Sequence, residues 1–260
     1  MADRARIGVI TGLASEAATL PDDDFWIAVS AANSARASEA AETMIAGGVS
    51  MLVSYGFAAG IDPRLGPGAL LLPETVIAHE GEVKTPDRGG VRDQLQRITS
   101  FKPREGQGPP EPPPDEAYVA VDTAMREVLS QELGMRIAGG ALAGVDRPLM
   151  RQEEKLALFA QTRARAADME SHVVARAATA AGVPFVVIRV VSDPSNRTLP
   201  RAAVAGINED GRIDGRAVAV ALLRSPWECT DMVTLALDGA QAMHRLRRVG
   251  RRAAPLLLSL

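Results

Sequence analysis

One stretch near residue 170 leaves little freedom about the fold class. An apolar run at 164–167 meets Asp168-Met169-Glu170-Ser171, and a stripe of Val173, Val174, Ala177, Ala178 and Ala181 follows. Gly182-Val183-Pro184 then turns the chain, and Phe185-Val186-Val187-Ile188-Arg189-Val190-Val191 leads into Ser192-Asp193-Pro194. The stripe has the helical period, whereas the second run is β-branched and apolar on both faces, as a strand buried between two helical layers must be. The expectation is strand, helix, strand. A right-handed crossover makes the two strands parallel and puts Glu170 and Asp193 at one carboxyl edge, where open α/β sheets bind ligands.

The remaining chain reads as further α/β alternation. Residues 6–10 form a buried strand, and Thr11-Gly12-Leu13-Ala14-Ser15-Glu16 turns into a helix with Ser15 as its cap, which brings Glu16 to the same edge. A strand at 25–30 precedes a helix capped by Asn33 or Ser34, striped with Ala37, Ala40, Ala41, Met44 and Ile45 and ended by Gly47-Gly48. Residues 49–54 lead as a strand into a small-residue turn, Gly56 to Gly60, where backbone can approach a ligand closely. Strands are expected at 70–77 and 137–145, helices at 121–133, 153–163, 216–223 and 227–248. Seven of the 17 prolines fall in residues 85–116, so that segment is expected to leave the sheet as a long excursion. The 260 residues suffice for one domain, 1–260, closing in a basic and apolar tail at 245–260.

Charge and cysteine content narrow the function classes. With a formal net charge of −3 and no basic face outside the C-terminus, no nucleic-acid footprint is expected. Cys229, the single cysteine, allows no internal disulfide, which suits a reducing cytoplasm. No run reaches the roughly 20 apolar residues of a membrane span. Arg245, Arg247, Arg248, Arg251 and Arg252 ahead of Pro255-Leu256-Leu257-Leu258 nevertheless make the tail a candidate for peripheral membrane contact. The alternative is a last helix packing on the protein or on a subunit partner.

Glu16, Glu170 and Asp193 at one edge suit a sugar-containing substrate. One carboxylate can accept from a vicinal diol, one can act as base, and one held protonated can act as acid. A divalent cation is the weaker alternative, because no acidic pair is local in sequence, and no metal site is assigned. Each carboxylate also has a plain structural explanation: acids are favoured in a helix's first turn, and Asp before Pro commonly sets a turn. His79, His172 and His244 lack ligand spacing, and the Gly56 region matches neither a dinucleotide nor a phosphate-loop fingerprint.

At these residues the sequence resembles the purine and uridine phosphorylase superfamily, on its branch with the 5′-methylthioadenosine/S-adenosylhomocysteine nucleosidases, over most of the chain. The segment 7–16 looks like the family's opening strand and catalytic Glu, here Glu16. Tyr55-Gly56-Phe57-Ala58-Ala59-Gly60-Ile61-Asp62-Pro63 looks like its small-residue segment. Asp168-Met169-Glu170-Ser171 looks like the segment whose Met lies under the ribose and whose second Glu binds its hydroxyls. Arg189-Val190-Val191-Ser192-Asp193 looks like the one whose Asp protonates or hydrogen-bonds purine N7. The resemblance implies a three-layer αβα fold with a mixed central sheet and a homodimer or higher homo-oligomer. Asp193 would be the acid, Glu170 and Met169 would hold the ribose, and Gly56, Phe57, Arg189 and Ser192 would complete the substrate site.

Phe57 stands where the nucleosidases carry Ser, and Pro148 near where they carry an aromatic. Within the superfamily, Gly144-Val145-Asp146-Arg147-Pro148, Asp168-Met169-Glu170-Ser171-His172 and the arginine-rich tail look most like the hopanoid-associated phosphorylases. That implies phosphorolysis of adenosylhopane to adenine and phosphoribosyl-hopane, with inorganic phosphate as co-substrate and no other cofactor. Arg36, in the first turn of a helix, is the local candidate for phosphate. Two alternatives stay open: hydrolysis of 5′-thioadenosines with Glu16 activating water, and a nucleoside-binding protein without catalysis.

Overall fold

The computed structural model describes residues 7–21, 24–79, 81, 83 and 118–259. The proline-rich excursion expected at 85–116 lies outside these described residues. Among the described residues ten strands form one mixed sheet: β1 (Ile7–Thr11), β2 (Phe25–Val29), β3 (Met51–Gly60), β4 (Leu70–Leu71), β5 (Thr75–His79), β6 (Tyr118–Ala120), β7 (Ile137–Ala138), β8 (Ala141–Val145), β9 (Ala166–Asp168) and β10 (Phe185–Asp193). Interspersed are α1 (Ala14–Ala17), α2 (Ser34–Ala46), α3 (Thr123–Glu132), α4 (Gln152–Thr162), α5 (Ser171–Ala181), α6 (Arg201–Ala205), α7 (Gly215–Arg224) and α8 (Cys229–Leu257).

Alternation along the central strands sorts the core into layers. In β10, Val186, Ile188 and Val190 pack with Leu246, Val249 and Leu257 of α8, while Phe185 and Val187 pack on the other face with Ala37, Ala41 and Met44 of α2 and Val174 and Ala178 of α5. Period two in the strand thus feeds two helical layers, each buried Val, Ile or Leu contributing about 1.5–3 kcal/mol. The caps follow local chemistry: Asn33 Oδ1 accepts the Arg36 N–H at 3.0 Å, and Gly182 ends α5 with φ +67°. Ser15 is not a cap. Leu13 occupies that position, and its N–H donates to Glu16 Oε2 at 2.8 Å.

Three sequence expectations give way. First, β3 runs unbroken through 51–60, so the expected Gly56–Gly60 turn is strand, with Gly56 at φ +149°. Second, the single strands expected at 70–77 and 137–145 each split in two. In the latter, Gly140 takes φ +98° and sends β7 and β8 to different neighbours. Third, β9 and β10 are not parallel: β9 pairs antiparallel with β3 at Ala59 and Gly60, β10 pairs parallel with β3, and β3 lies between them. With only three residues, β9 carries too little pattern to reveal its direction.

This antiparallel arrival creates a break in the sheet. One edge of β3 is paired to β1 as far as Ser54 and to β9 from Ala59 onward, while β10 follows the opposite edge. Residues 55–58 therefore have no strand beside them on the first edge. Since β1 runs with β3 and β9 against it, the chain leaving each strand enters this gap from opposite directions, bringing Glu16 and Glu170 together.

The C-terminal stretch belongs to α8. Leu246, Val249, Ala253 and Leu257 are buried, Arg252 Nη1 donates to Leu133 O at 2.6 Å, and the Tyr55 hydroxyl donates to Leu246 O at 2.9 Å. Gly250 allows the close approach, for a Cβ there would stand 2.6 Å from Thr19 O. Of the apolar residues considered for membrane contact, Leu257 is buried and Leu256 packs against the core, whereas Pro255 and Leu258 are exposed. No helix among the described residues is long and apolar enough to cross a membrane.

Candidate active site

Arg189 organises the gap. It is fully buried in β10, with Nη2 2.6 Å from Asp168 Oδ2, 3.2 Å from Glu170 Oε2 and 2.7 Å from Ser54 Oγ, while Nη1 donates to Phe57 O at 3.2 Å. Ser171 Oγ lies 2.9 Å from Ser54 Oγ and donates to Asp168, and Ser171 N–H donates to Asp168 Oδ1 at 3.1 Å. Such a fork suits Arg and not Lys, whose ammonium is a point charge.

Glu16 closes the gap from the other side. Its Oε1 accepts the Phe57 N–H at 2.7 Å, a group that a neighbouring strand would otherwise have used. Gly56 and Gly12 keep the space open. A Cβ at Gly56 would meet the Glu16 carboxyl at 2.6 Å, and one at Gly12 would lie 3.0 Å from Glu170 Oε1 and 3.4 Å from Glu16 Oε2. Glu170 begins α5 but makes no capping hydrogen bond, so helix capping does not explain it. Its carboxyl turns instead to Arg189 and, at 3.4 Å, to the Ser30 hydroxyl.

Three buried carboxylates, Glu16, Asp168 and Glu170, thus face one guanidinium, and if all were ionised the cluster would hold an excess of negative charge. Burial pushes the Glu170 carboxyl up to about 7, with Asp168 and Glu16 adding to the rise and Arg189 opposing it. Burial likewise raises Glu16, against Arg189 and the Phe57 and Leu13 N–H groups. Burial works against the charge on Arg189, but Asp168, Glu170 and Glu16 hold it above its usual value.

The sign for stability follows. Between the ordinary carboxylate value of 4.5 and about 7, folded Glu170 retains a proton that the unfolded chain has lost, so its contribution falls as pH rises through that window. Glu170→Gln, a mimic of the protonated acid, should remove that slope, worth about 1.4 kcal/mol per unit of difference. The variant should gain melting temperature over the native protein between pH 5 and pH 8 and lose any preference for ribo over deoxyribo nucleosides. Melting curves that stay parallel across this range would reject the assignment.

Asp193 does not join the cluster. It lies four residues beyond Arg189, about 13 Å along a strand, past a bulge between Val191 and Asp193. Its Oδ2 is 2.7 Å from Lys155 Nζ and its Oδ1 accepts the Ser192 hydroxyl at 2.8 Å. The expected parallel placement of Glu170 and Asp193 is therefore corrected, since β9 runs opposite to β10. Both β1 and β10 run parallel to β3, so Glu16 and Asp193 follow strand ends at one edge, and Glu170 reaches Glu16 from the opposite direction. The Phe57 ring is half-buried and packs toward α8, so its backbone rather than its ring meets the carboxylates. Met169 packs with the cluster of Ile61, Val145 and Leu158. Exposed Arg36 bonds through Nη1 to Glu209 O. His172 points away from Glu170, packing under Gly144 with Nε2 3.4 Å from Asp146 Oδ1. A cleft of about 220 Å³ opens beside the turn after Asp193, bordered by Asn196, Arg197 and Asp231, and no carboxylate of the cluster lines it.

Sequence reasoning gave no role to Asp168, Ser54 or Lys155. The signal for Lys155 was present, since it shares the i, i+3, i+4, i+7 stripe of α4 with Leu158, Phe159 and Thr162, all buried. A lysine on a core stripe needs a partner.

A mixed central sheet with helices on both sides is the fold of the nucleosidases and phosphorylases. The chain belongs to the phosphorylase superfamily, whose family model matches residues 6–224. It is similar to the Neisseria meningitidis 5′-methylthioadenosine/S-adenosylhomocysteine nucleosidase solved with methylthio-immucillin-A, with 17% identity over 98% of this chain and 100% of that one and a TM-score of 0.62. The Helicobacter pylori nucleosidase of the same kind gives 18% identity over 86% and 98% of the two chains at 0.57. Futalosine hydrolase from Helicobacter pylori gives 16% over 95% and 97%, also at 0.57.

Proposed function

We propose that the protein cleaves the N-glycosidic bond of an adenine nucleoside bearing a large apolar 5′ substituent, adenosylhopane being the substrate implied by the residues around Gly144–Pro148 and Asp168–His172. The observation that carries the cleavage is the gathering of three buried carboxyl groups, Glu16, Asp168 and Glu170, around the guanidinium of Arg189. As the bond breaks, the sugar becomes oxocarbenium-like, and preorganised negative charge in a site of low dielectric stabilises that cation more than the neutral ground state. Glu170 and Arg189 then hold the ribose, Glu16 faces the nucleophile, and Asp193 serves the departing base. Related structures contain adenosine-type inhibitors, such as methylthio-immucillin-A, which supports a nucleoside substrate.

An apolar 5′ group is supported by the bare face beside the site's mouth. Ala14 N–H donates to Gly211 O at 3.0 Å, which seats the loop before α7 against the turn between β1 and α1. None of α7 is buried, and Leu223 and the following Trp227 are 83% and 74% exposed. A hydrocarbon emerging there would cover apolar surface at about 25 cal/mol per Å².

For the acceptor we propose phosphate, supported by Arg36 at the start of α2, whose approach is tied to the site by the Ala32 N–H to Gly12 O bond of 3.1 Å. Water is the second reading, favoured by Glu16, a buried carboxylate whose raised proton affinity suits a base. Adenine release should be measured in phosphate-free buffer and with added phosphate, using a long-chain 5′-alkyl adenosine beside methylthioadenosine. The expected result is phosphate-dependent release, a sugar 1-phosphate product and preference for the alkyl compound. Equal rates in both buffers with methylthioadenosine preferred would reverse both choices.

A further inference from the structure

Lys155 is buried to 0% exposure on the first turns of α4, a helix end whose dipole disfavours a cation. It nevertheless has a full set of acceptors. Nζ lies 2.7 Å from Asp193 Oδ2, 3.0 Å from Arg197 O, 3.3 Å from Pro194 O and 3.4 Å from Asp193 O. Other charged groups nearby are engaged elsewhere. Glu154 takes the Met150 and Arg151 N–H groups and faces Arg147 and Arg151, and Arg197 pairs with Asp238 at 3.0 Å. Asp193 and Lys155 therefore form a pair of their own, with Ser192 fixing the second carboxyl oxygen.

An acid for the departing base must hold a transferable proton. Beside an ammonium at 2.7 Å, the pair carries one in either arrangement, as ammonium with carboxylate or as amine with carboxylic acid. We propose that Lys155 is a positioning residue for Asp193 and that the proton given to the leaving purine is held by the Lys155–Asp193 pair rather than by Asp193 alone. This rests on the proposed role of Asp193. As the C1′–N9 bond breaks, its electron pair goes to the purine, and the one proton of the pair moves from Lys155 Nζ to the Asp193 carboxylate and from there on to N7. The pair is left as amine and carboxylate, and it regains a proton from water after the base departs.

The test compares two leaving groups. A purine needs protonation to depart, whereas the nitrophenolate of nitrophenyl β-D-riboside leaves as a stable anion. Lys155→Met and Asp193→Asn should each lower kcat for the purine nucleoside by about 10²–10⁴, the usual contribution of a positioned acid. Turnover of the nitrophenyl riboside should change less than about threefold, and Lys155→Arg, which keeps the charge but cannot give up a proton, should not restore the purine rate. A structural role for Lys155 would instead lower both rates together, and that result overturns the inference while leaving Asp193 in place. Should Asp193→Asn itself cost the purine reaction nothing, the site assignment fails and the inference with it. If Lys155→Met does not fold, Lys155→Met/Asp193→Asn, which removes both charges, is compared with Asp193→Asn. Equal purine rates within about threefold support action through Asp193, since coupled residues are not additive. A further tenfold loss refutes it.

Discussion

Arg189→Met is expected to destabilise the protein by roughly 3–5 kcal/mol, the usual cost of removing one partner from a buried ion pair. For a chain of this size that lowers the melting temperature by about 6–20 °C. The cause is electrostatic. Asp168, Glu170 and Glu16 would remain buried without their cation, and Ser54 Oγ and Phe57 O would lose a donor. The loss should be smaller at pH 5 than at pH 8, because the orphaned carboxylates can take up protons in acid. Arg189→Lys should recover only part of the stability. Thermal melts across that pH range check this, and a variant as stable as the native protein at pH 8 would show that the cluster is not held by Arg189.

Glu16→Gln should lower kcat by about 10²–10⁴ while nucleoside binding persists, that being the range for a positioned base. The substitution keeps size and shape. It loses the charge that would stabilise a sugar cation, and its amide nitrogen cannot accept, so one of the Phe57 and Leu13 N–H groups is left without its partner. Relief of a buried charge opposes that lost hydrogen bond, so folding stability should move less than activity. Adenine release and inhibitor binding measured on the same preparation separate the two. Turnover within threefold of the native enzyme would reduce Glu16 to a structural capping residue.

How much of this was legible beforehand depended on pattern length. The eleven-residue helix Ser171–Ala181 is bounded where its stripe and Gly182 predict, and Asn33 caps α2 as its side chain allows. Both are set by neighbours in sequence. Gly56 is expected to let backbone approach a ligand closely; in the structure it lies in a strand, and the group that stands against its α-carbon is the Glu16 carboxyl. Apolar content predicts one strand over 137–145 and cannot show that Gly140, at φ +98°, redirects the chain between two neighbours.

The sequence by itself determined the α/β layering, most of the helices and the residue types of the site, because helical and strand periods, caps and glycines act over a few residues. Only the tertiary structure decided which acids meet. The direction of three-residue β9 is set by pairing with Ala59 and Gly60, more than a hundred positions away in the chain, and that direction opens the gap in which Glu16, Glu170 and Arg189 converge. Lys155 reached Asp193 in the same way, through the docking of one helix against the end of another element's strand. Long-range pairing leaves no local period to read.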